Sequence, residues 1–284
     1  MNRYNPVVII AQVSPISAIL GLFLIVPIAT ILIVSFWDYN EFMLLPDFVW
    51  TNYSDTLGSY VTYKIYLNTF KYTILTWFFT LVIGFPVAYF LCFHVKTLRW
   101  QIVLFLICTI PFWTSNIIRM ISWIPFLGRN GVFNSMLLNI GLIGEPLEFL
   151  LFSDFAIVLA FVHLYTLFMV VPIFNSMMRI DRTVMEAAFD AGANGWQMLT
   201  NVVIPLCKPG IAIGSIFVVT LVMGDYITVR LMGGGLRASV GVMMSNEISL
   251  LLYPPAAANA VVLLAVVLIL VSLMMRVVDL KKEL

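Results

Sequence analysis

Among the charged side chains inside apolar runs, three stand out: Arg119, Asp225 and Arg230. A charge at the centre of a bilayer costs about 2.5 to 3.5 kcal/mol on insertion scales, so such a group faces a partner or an aqueous cavity. The chemistry open to these residues is therefore binding and pairing. Asp225, followed by Tyr226, offers a carboxylate to a cation. Arg119 ends the run Pro-Phe-Trp-Thr-Ser-Asn-Ile-Ile-Arg, in which Trp113, Asn116, Met120 and Trp123 recur at three- to four-residue spacing and fall on one helical face. Two readings stand side by side. In one, Trp113, Asn116, Arg119, Trp123, Asp225 and Tyr226 line a solute path. In the other, Arg119 and Asp225 form an ion pair that only fixes helix packing. Arg230 fits snorkelling to an interface, and His163 fits a hydrogen bond across helices better than a proton relay.

Nothing in the sequence supports bond-making chemistry. A glycine-rich phosphate loop ending in Lys-Ser/Thr is missing, so the chain is not expected to hydrolyse ATP itself. The three cysteines, Cys92, Cys108 and Cys207, fall in or near apolar runs without metal-ligand spacing. They read as buried structural thiols, with no metal and no disulfide.

A different kind of segment runs from Glu186 to Pro205. It is polar, rich in small residues and broken by glycine, with the local grammar of two short helices joined at a corner. Thr183 with Glu186, and Asn194 with Gln197, each have the spacing of a capping box. Gly192 sits where a helix ends in a left-handed residue, and Pro205 is placed to stop the second helix. Ala187, Ala188 and Ala191 would let a partner approach the first helix closely. Glu186 and Asp190 are like charges four residues apart, and Asp190 lies near the negative end of the helix dipole. A basic partner would relieve that conflict, although an ordinary solvated connection fits the same residues.

These elements must be held by a membrane protein. Of 284 residues 62% are hydrophobic and only 10% charged, too apolar for a soluble domain, and a net charge of +1 gives no reason to expect nucleic acid. Six spans are expected, at about 15–36, 69–93, 102–124 (interrupted by Pro111), 155–178, 210–232 and 256–278. The first reads as a retained span and not a removed signal peptide. External loops are expected at 37–66, with interfacial aromatics and Asp38, Glu41, Asp47 and Asp55, at 125–154, and from Gly233 onward. With the N-terminus inside, Arg3, Lys96, Arg99, Arg179, Arg182, Lys208, Arg276, Lys281 and Lys282 are cytoplasmic, and Lys64, Arg129 and Arg237 are outside. The positive-inside rule thus favours both termini in the cytoplasm. No repeat, heptad run or soluble domain is evident, so residues 1–284 read as a single transmembrane domain with residues 179–208 as a cytoplasmic loop.

The loop resembles the EAA loop of importer-type ABC transporter permeases: Glu-Ala-Ala, three residues, Gly, nine residues, then Ile-x-Leu-Pro. Glu186, Ala187, Ala188 and Gly192 match, and Val202, Val203, Ile204 and Pro205 close the pattern with conservative changes. Pro-Phe-Trp-Thr with Ile-Arg in the third span, and Met-Gly and Leu-Met-Gly-Gly around 223–234, resemble the spermidine/putrescine-type permeases among type I ABC importers. Importers of opines, iron or amino acid-like solutes share much of this layout. The resemblance implies an all-α, six-helix MetI-like permease fold in a bacterial inner membrane. It implies that Glu186, Ala187, Ala188, Asp190, Gly192 and Pro205 couple to a cytoplasmic ABC ATPase dimer that uses ATP and Mg, with no cofactor bound by this chain. It also implies a second homologous permease subunit, a periplasmic solute-binding protein and a polyamine or related cationic solute. A secondary transporter using Asp225 for a coupling ion, or a membrane assembly or sensor subunit that moves no solute, are the rival expectations.

Overall fold

The computed structural model describes residues 6–40 and 43–277; Arg3, Glu41, Lys281 and Lys282 of the topology reading lie outside the described residues. The chain is mostly helical. Helix α1 (Pro6–Leu20) continues through a π-helical turn (Gly21–Ile25) into α2 (Val26–Val34). A two-residue antiparallel ladder, β1 (Asp38–Tyr39) with β2 (Leu44–Leu45), and helix α3 (Thr51–Gly58) follow. Next come α4 (Tyr60–Tyr89), α5 (Leu98–Thr109), α6 (Asn116–Leu127), α7 (Val132–Asn139) and α8 (Asp154–Met177). The remainder is α9 (Arg182–Asp190), α10 (Gly195–Met198), α11 (Ile204–Gly224), α12 (Ile227–Met232), α13 (Val240–Ser249) and α14 (Tyr253–Val277). Among the described residues five helices are long and apolar enough to cross a membrane, and six if the bent pair around residues 114–115 counts as one span.

The described residues divide into two compact units, 6–63 with 243–265 and 64–242 with 266–277. In the first, the end of α2 is clasped by α3. Asn52 donates to the carbonyls of Ser35 (3.1 Å) and Trp37 (2.9 Å), and the Ser35 and Tyr53 hydroxyls are 2.6 Å apart. Phe36, Phe48, Trp50 and Tyr53 pack their rings together around that clasp. The segment read as a loop with interfacial aromatics is therefore folded, and its aromatics hold one another.

In the second unit α8 is the central helix. Ala156, Ile157, Ala160, Phe161, Met169, Ile173 and Met177 are all fully buried. Ser153 caps it, its hydroxyl accepting from the Ala156 amide. Helix α11 lies against α8 through Gly210 and Gly214, four residues apart. A Cβ at Gly210 would stand 2.5 Å from the Pro172 carbonyl oxygen, and one at Gly214 2.9 Å from the Met169 sulfur. Only glycine permits that approach, which is how helices pack in lipid, where burial of apolar surface supplies little drive. Trp77 on α4 donates to Ser215 on α11 (2.8 Å). At the start of α8, Asp154 accepts from Lys71 (2.6 Å) and Tyr72 (2.8 Å) of α4 and pairs with Arg237 (3.3 Å).

Several expectations need correction. Helix α4 starts at Tyr60, nine residues before the expected Thr69, and with its terminal π turn runs 35 residues to His94. At about 1.5 Å per residue that exceeds a hydrocarbon core of about 30 Å, so the helix continues past the apolar stretch that hydropathy detects. The third span is two helices bent by 87°, joined through a 3₁₀ turn (Ile110–Trp113) that contains Pro111. The fifth ends at Gly224, not Met232, because Asp225 adopts extended backbone and α12 begins afresh. Pro205 does not stop a helix. It falls in the first turn of α11 after a π-helical turn (Leu199–Val203), where its missing N–H is tolerated. The residues after Gly233 include the helix α13. Of the cysteines only Cys207 is buried; Cys92 and Cys108 are half-buried.

Candidate functional site

A polar corner forms where α11 stops. Gly224 and the extended backbone of Asp225 turn the chain, and the Asp225 carboxylate holds the turn. Its Oδ2 accepts from the Tyr165 hydroxyl (2.7 Å) and the Thr228 hydroxyl (2.8 Å), and its Oδ1 accepts from the Thr228 amide (2.9 Å). The side chain thus closes the first turn of α12 and fastens it to α8. Tyr165 is 6% exposed, its ring stacked on Phe161.

Arg119 faces the same region from α6. It is 9% exposed, donates through Nη2 to Asn116 (2.6 Å), and its Nε is buried without a partner. The guanidinium lies within electrostatic reach of Tyr165 and His163. An Arg119–Asp225 ion pair is not formed, because Tyr165 and Thr228 take the carboxylate and Asn116 takes the guanidinium. His163 makes the expected cross-helix bond, accepting at Nδ1 from Trp123 Nε1 (3.0 Å).

Asn116, Arg119, Met120 and Trp123 share α6 as their spacing predicts. Trp113 does not join them: it ends the 3₁₀ turn before α6 and is 84% exposed. The physical reason is the backbone break at Thr114 and Ser115, which resets the helical phase that the spacing assumes. Tyr226 is adjacent to the corner and 42% exposed.

The loop after α8 has the two-helix form expected of it. Its corner is built by Gly192 with φ +83, closed by Gly192 N–H to Phe189 O (2.9 Å) and Ala193 N–H to Ala188 O (3.0 Å). Asn194 and Gln197 form the reciprocal capping box, both bonds 2.9 Å. The other expected box is absent. Asp181 caps α9 by accepting from the Thr183 amide (3.0 Å), since the helix begins one residue before Thr183. Glu186, Ala187 and Asp190 are exposed and Ala188 is half-buried.

Sequence reasoning passed over several residues that this geometry brings forward. Phe189 and Trp196 flank the Gly192 corner and are 73% and 72% exposed, two large aromatics in an otherwise polar loop. Their position inside the polar loop was the available signal. Tyr165 gave none, being one aromatic among many in an apolar run. Thr228 stands three residues after Asp225, the offset at which a carboxylate reaches a backbone amide, and was legible on that ground.

No protein-family model matches the sequence. The chain is 31% identical over 214 residues to the spermidine/putrescine transport system permease protein PotB of Escherichia coli (strain K12), covering 75% of this chain and 76% of that protein. To the PotB protein of Haemophilus influenzae it is 29% identical over 228 residues, 79% of this chain and 78% of that one. The inner membrane ABC transporter permease protein YdcU of Escherichia coli (strain K12) is 27% identical over 218 residues, 72% and 68% of the two chains. Among solved structures, a chain of a bacterial alginate ABC transporter in complex with an alginate pentasaccharide-bound periplasmic protein superposes with a TM-score of 0.73 at 16% identity, over 95% of this chain and 93% of that one. A chain of the MetNI methionine ABC transporter in an inward-facing conformation gives 0.52 at 19% identity, over 79% and 98%. At such identities the structural likeness shows the fold alone, which is that of an ABC importer permease.

Proposed function

Because this chain belongs to the family of the spermidine/putrescine transport system permease proteins, we propose that it carries a polyamine or a related cationic solute through the bacterial inner membrane. The observation that carries this is the sequence relationship to PotB over three quarters of the chain. The chain is a multi-pass transport subunit and not an enzyme. Both termini lie in the cytoplasm, the whole chain works as one permease domain, and a second homologous permease subunit completes the path. A periplasmic solute-binding protein delivers the solute, and no nucleic acid is involved.

The loop from Glu186 to Pro205 docks on a cytoplasmic ATPase dimer, which uses ATP and Mg. Its exposed face supports this reading: Glu186 and Asp190 offer charge, Ala187 and Ala188 permit close approach, and Phe189 and Trp196 supply apolar area that would otherwise stay in water. Closure of the ATPase dimer draws the loops together and exchanges two states of the path, a coupling between sites in the thermodynamic sense. Trp113, Asn116, Arg119, Trp123, Asp225 and Tyr226 belong to the solute path, with Asp225 acting through its charge.

The complex reconstituted in proteoliposomes with its ATPase, its second permease and its binding protein should accumulate labelled spermidine or putrescine only when ATP is supplied. An assembled, ATP-hydrolysing complex that takes up neither would overturn the polyamine reading. Orientation has its own check. Single cysteines placed at Asn194 and Asp47, both exposed, in a background without Cys92, Cys108 and Cys207 should react with an impermeant thiol reagent from opposite faces. Reaction from the same face would contradict the proposed topology.

A further inference from the structure

Helix α13 ends in a sharp corner that sets one acid against the last span. Leu251 takes a left-handed backbone, φ 62, and the chain closes by Leu251 N–H to Ile248 O (3.0 Å) and Leu252 N–H to Glu247 O (2.9 Å). The corner brings Glu247 onto Asn259, which lies on α14, twelve residues later. Asn259 Nδ2 donates to both carboxylate oxygens of Glu247, at 2.9 and 3.1 Å.

What this pair lacks is a positive group. Among the described residues no lysine, arginine or histidine stands within ion-pair distance of Glu247, whereas Asp154 has two such partners and Glu148 has Arg129. Glu247 is half-buried, and burial raises its carboxyl above the usual carboxylate range while the Asn259 amide draws it partly back. Asn259 is 3% exposed, and its Oδ1 is buried without a donor. A carboxylate accepts about four hydrogen bonds and an amide oxygen about two, so the unmet capacity here is entirely of the acceptor kind. A half-buried carboxylate without an internal cation persists where something satisfies it.

The group that complements these acceptors is a donor with positive charge. A hard metal ion needs six to eight oxygens around it, and among the described residues no cluster of three or more metal-binding side chains exists. An alkylammonium group brings three N–H donors on a single nitrogen and needs no such shell. We propose that Glu247, braced by Asn259, binds an ammonium group of the transported solute. The segment holding Glu247 joins the fifth and sixth spans, which in the proposed topology is the side where solute arrives. This deepens the polyamine reading and rests on it for the identity of the solute.

Glu247→Gln keeps an acceptor for Asn259 and removes the charge. In the reconstituted complex it should raise the KM for spermidine uptake about tenfold, with assembly and solute-independent ATP hydrolysis unchanged. Glu247→Asp, which keeps the charge, should recover most of the affinity. An unchanged KM in Glu247→Gln would overturn the proposal. So would equal impairment in both variants, or loss of assembly in Glu247→Gln, since either marks a packing pair. If the wild-type complex takes up no polyamine, the family-based reading fails separately. Binding of butylammonium to the purified complex, compared between wild type and Glu247→Gln, then decides on Glu247: weaker binding in the variant sustains the ammonium site, and equal or absent binding overturns it.

Discussion

Gly192→Val should leave the chain inserted and folded yet reduce solute-stimulated ATP hydrolysis by the assembled importer about tenfold. The corner glycine has φ +83, and a Cβ there would meet nothing within 4 Å. The added Cβ itself finds open space, so the expected effect comes chiefly from the backbone. An L-residue in the left-handed region costs roughly 1 to 2 kcal/mol, and a β-branched one is a stronger outlier. About 1.4 kcal/mol is a factor of ten in population, so the observed corner should be disfavoured about tenfold or more relative to other backbone arrangements. Helix α9 would then present Glu186, Ala187 and Phe189 at a different angle to the ATPase. Asparagine tolerates the left-handed region, so Gly192→Asn should retain most of the stimulation. The measurement is ATP turnover with and without solute-loaded binding protein, alongside assembly by size-exclusion chromatography. Undiminished stimulation in the valine variant would show that the corner does not set the coupling geometry.

The corner could be foreseen because its chemistry is local. Glycine at a helix end and Asn194 three residues before Gln197 determine backbone geometry within one turn, and no tertiary partner is needed to read them. Helices α8 and α14 were equally legible, with ends within three residues of those expected, since their bounds coincide with the ends of apolar runs. Legibility failed where backbone geometry departs from a uniform helix inside an apolar run. Hydropathy continues unbroken from Gly210 to Met232, but the chain turns at Asp225 because a carboxylate there can satisfy the Thr228 amide that the break exposes. The π turn before Pro205 is hidden in the same way, as it changes hydrogen bonding without changing composition. Glu247 and Asn259 were out of reach for another reason: their meeting depends on a left-handed leucine, which no turn rule anticipates.

The same break at Asp225 changes what its removal should do. Its carboxylate already accepts three internal hydrogen bonds, so the proposed attraction for a cationic solute would act chiefly as a field over distance and not by direct ligation. Hydrogen bonds to a charged group are worth about 1.5 to 3 kcal/mol each, and three converge here. Asp225→Ala removes all of them and should lower the thermal stability of the purified complex together with its uptake. Asp225→Asn is the informative change. The amide can still accept from the Thr228 N–H through its oxygen, and the two hydroxyls, which accept as well as donate, can turn to receive its N–H groups. The fold should therefore survive with a melting temperature close to that of the wild type, while the negative charge is gone. Uptake of a cationic solute should fall about tenfold or more, chiefly in maximal rate, with ATP hydrolysis retained. Full uptake by Asp225→Asn would assign the carboxylate to holding the α11–α12 corner alone, and a fall in uptake matched by a fall in melting temperature would say the same. Only loss of uptake with stability intact places the charge of Asp225 on the path of the solute.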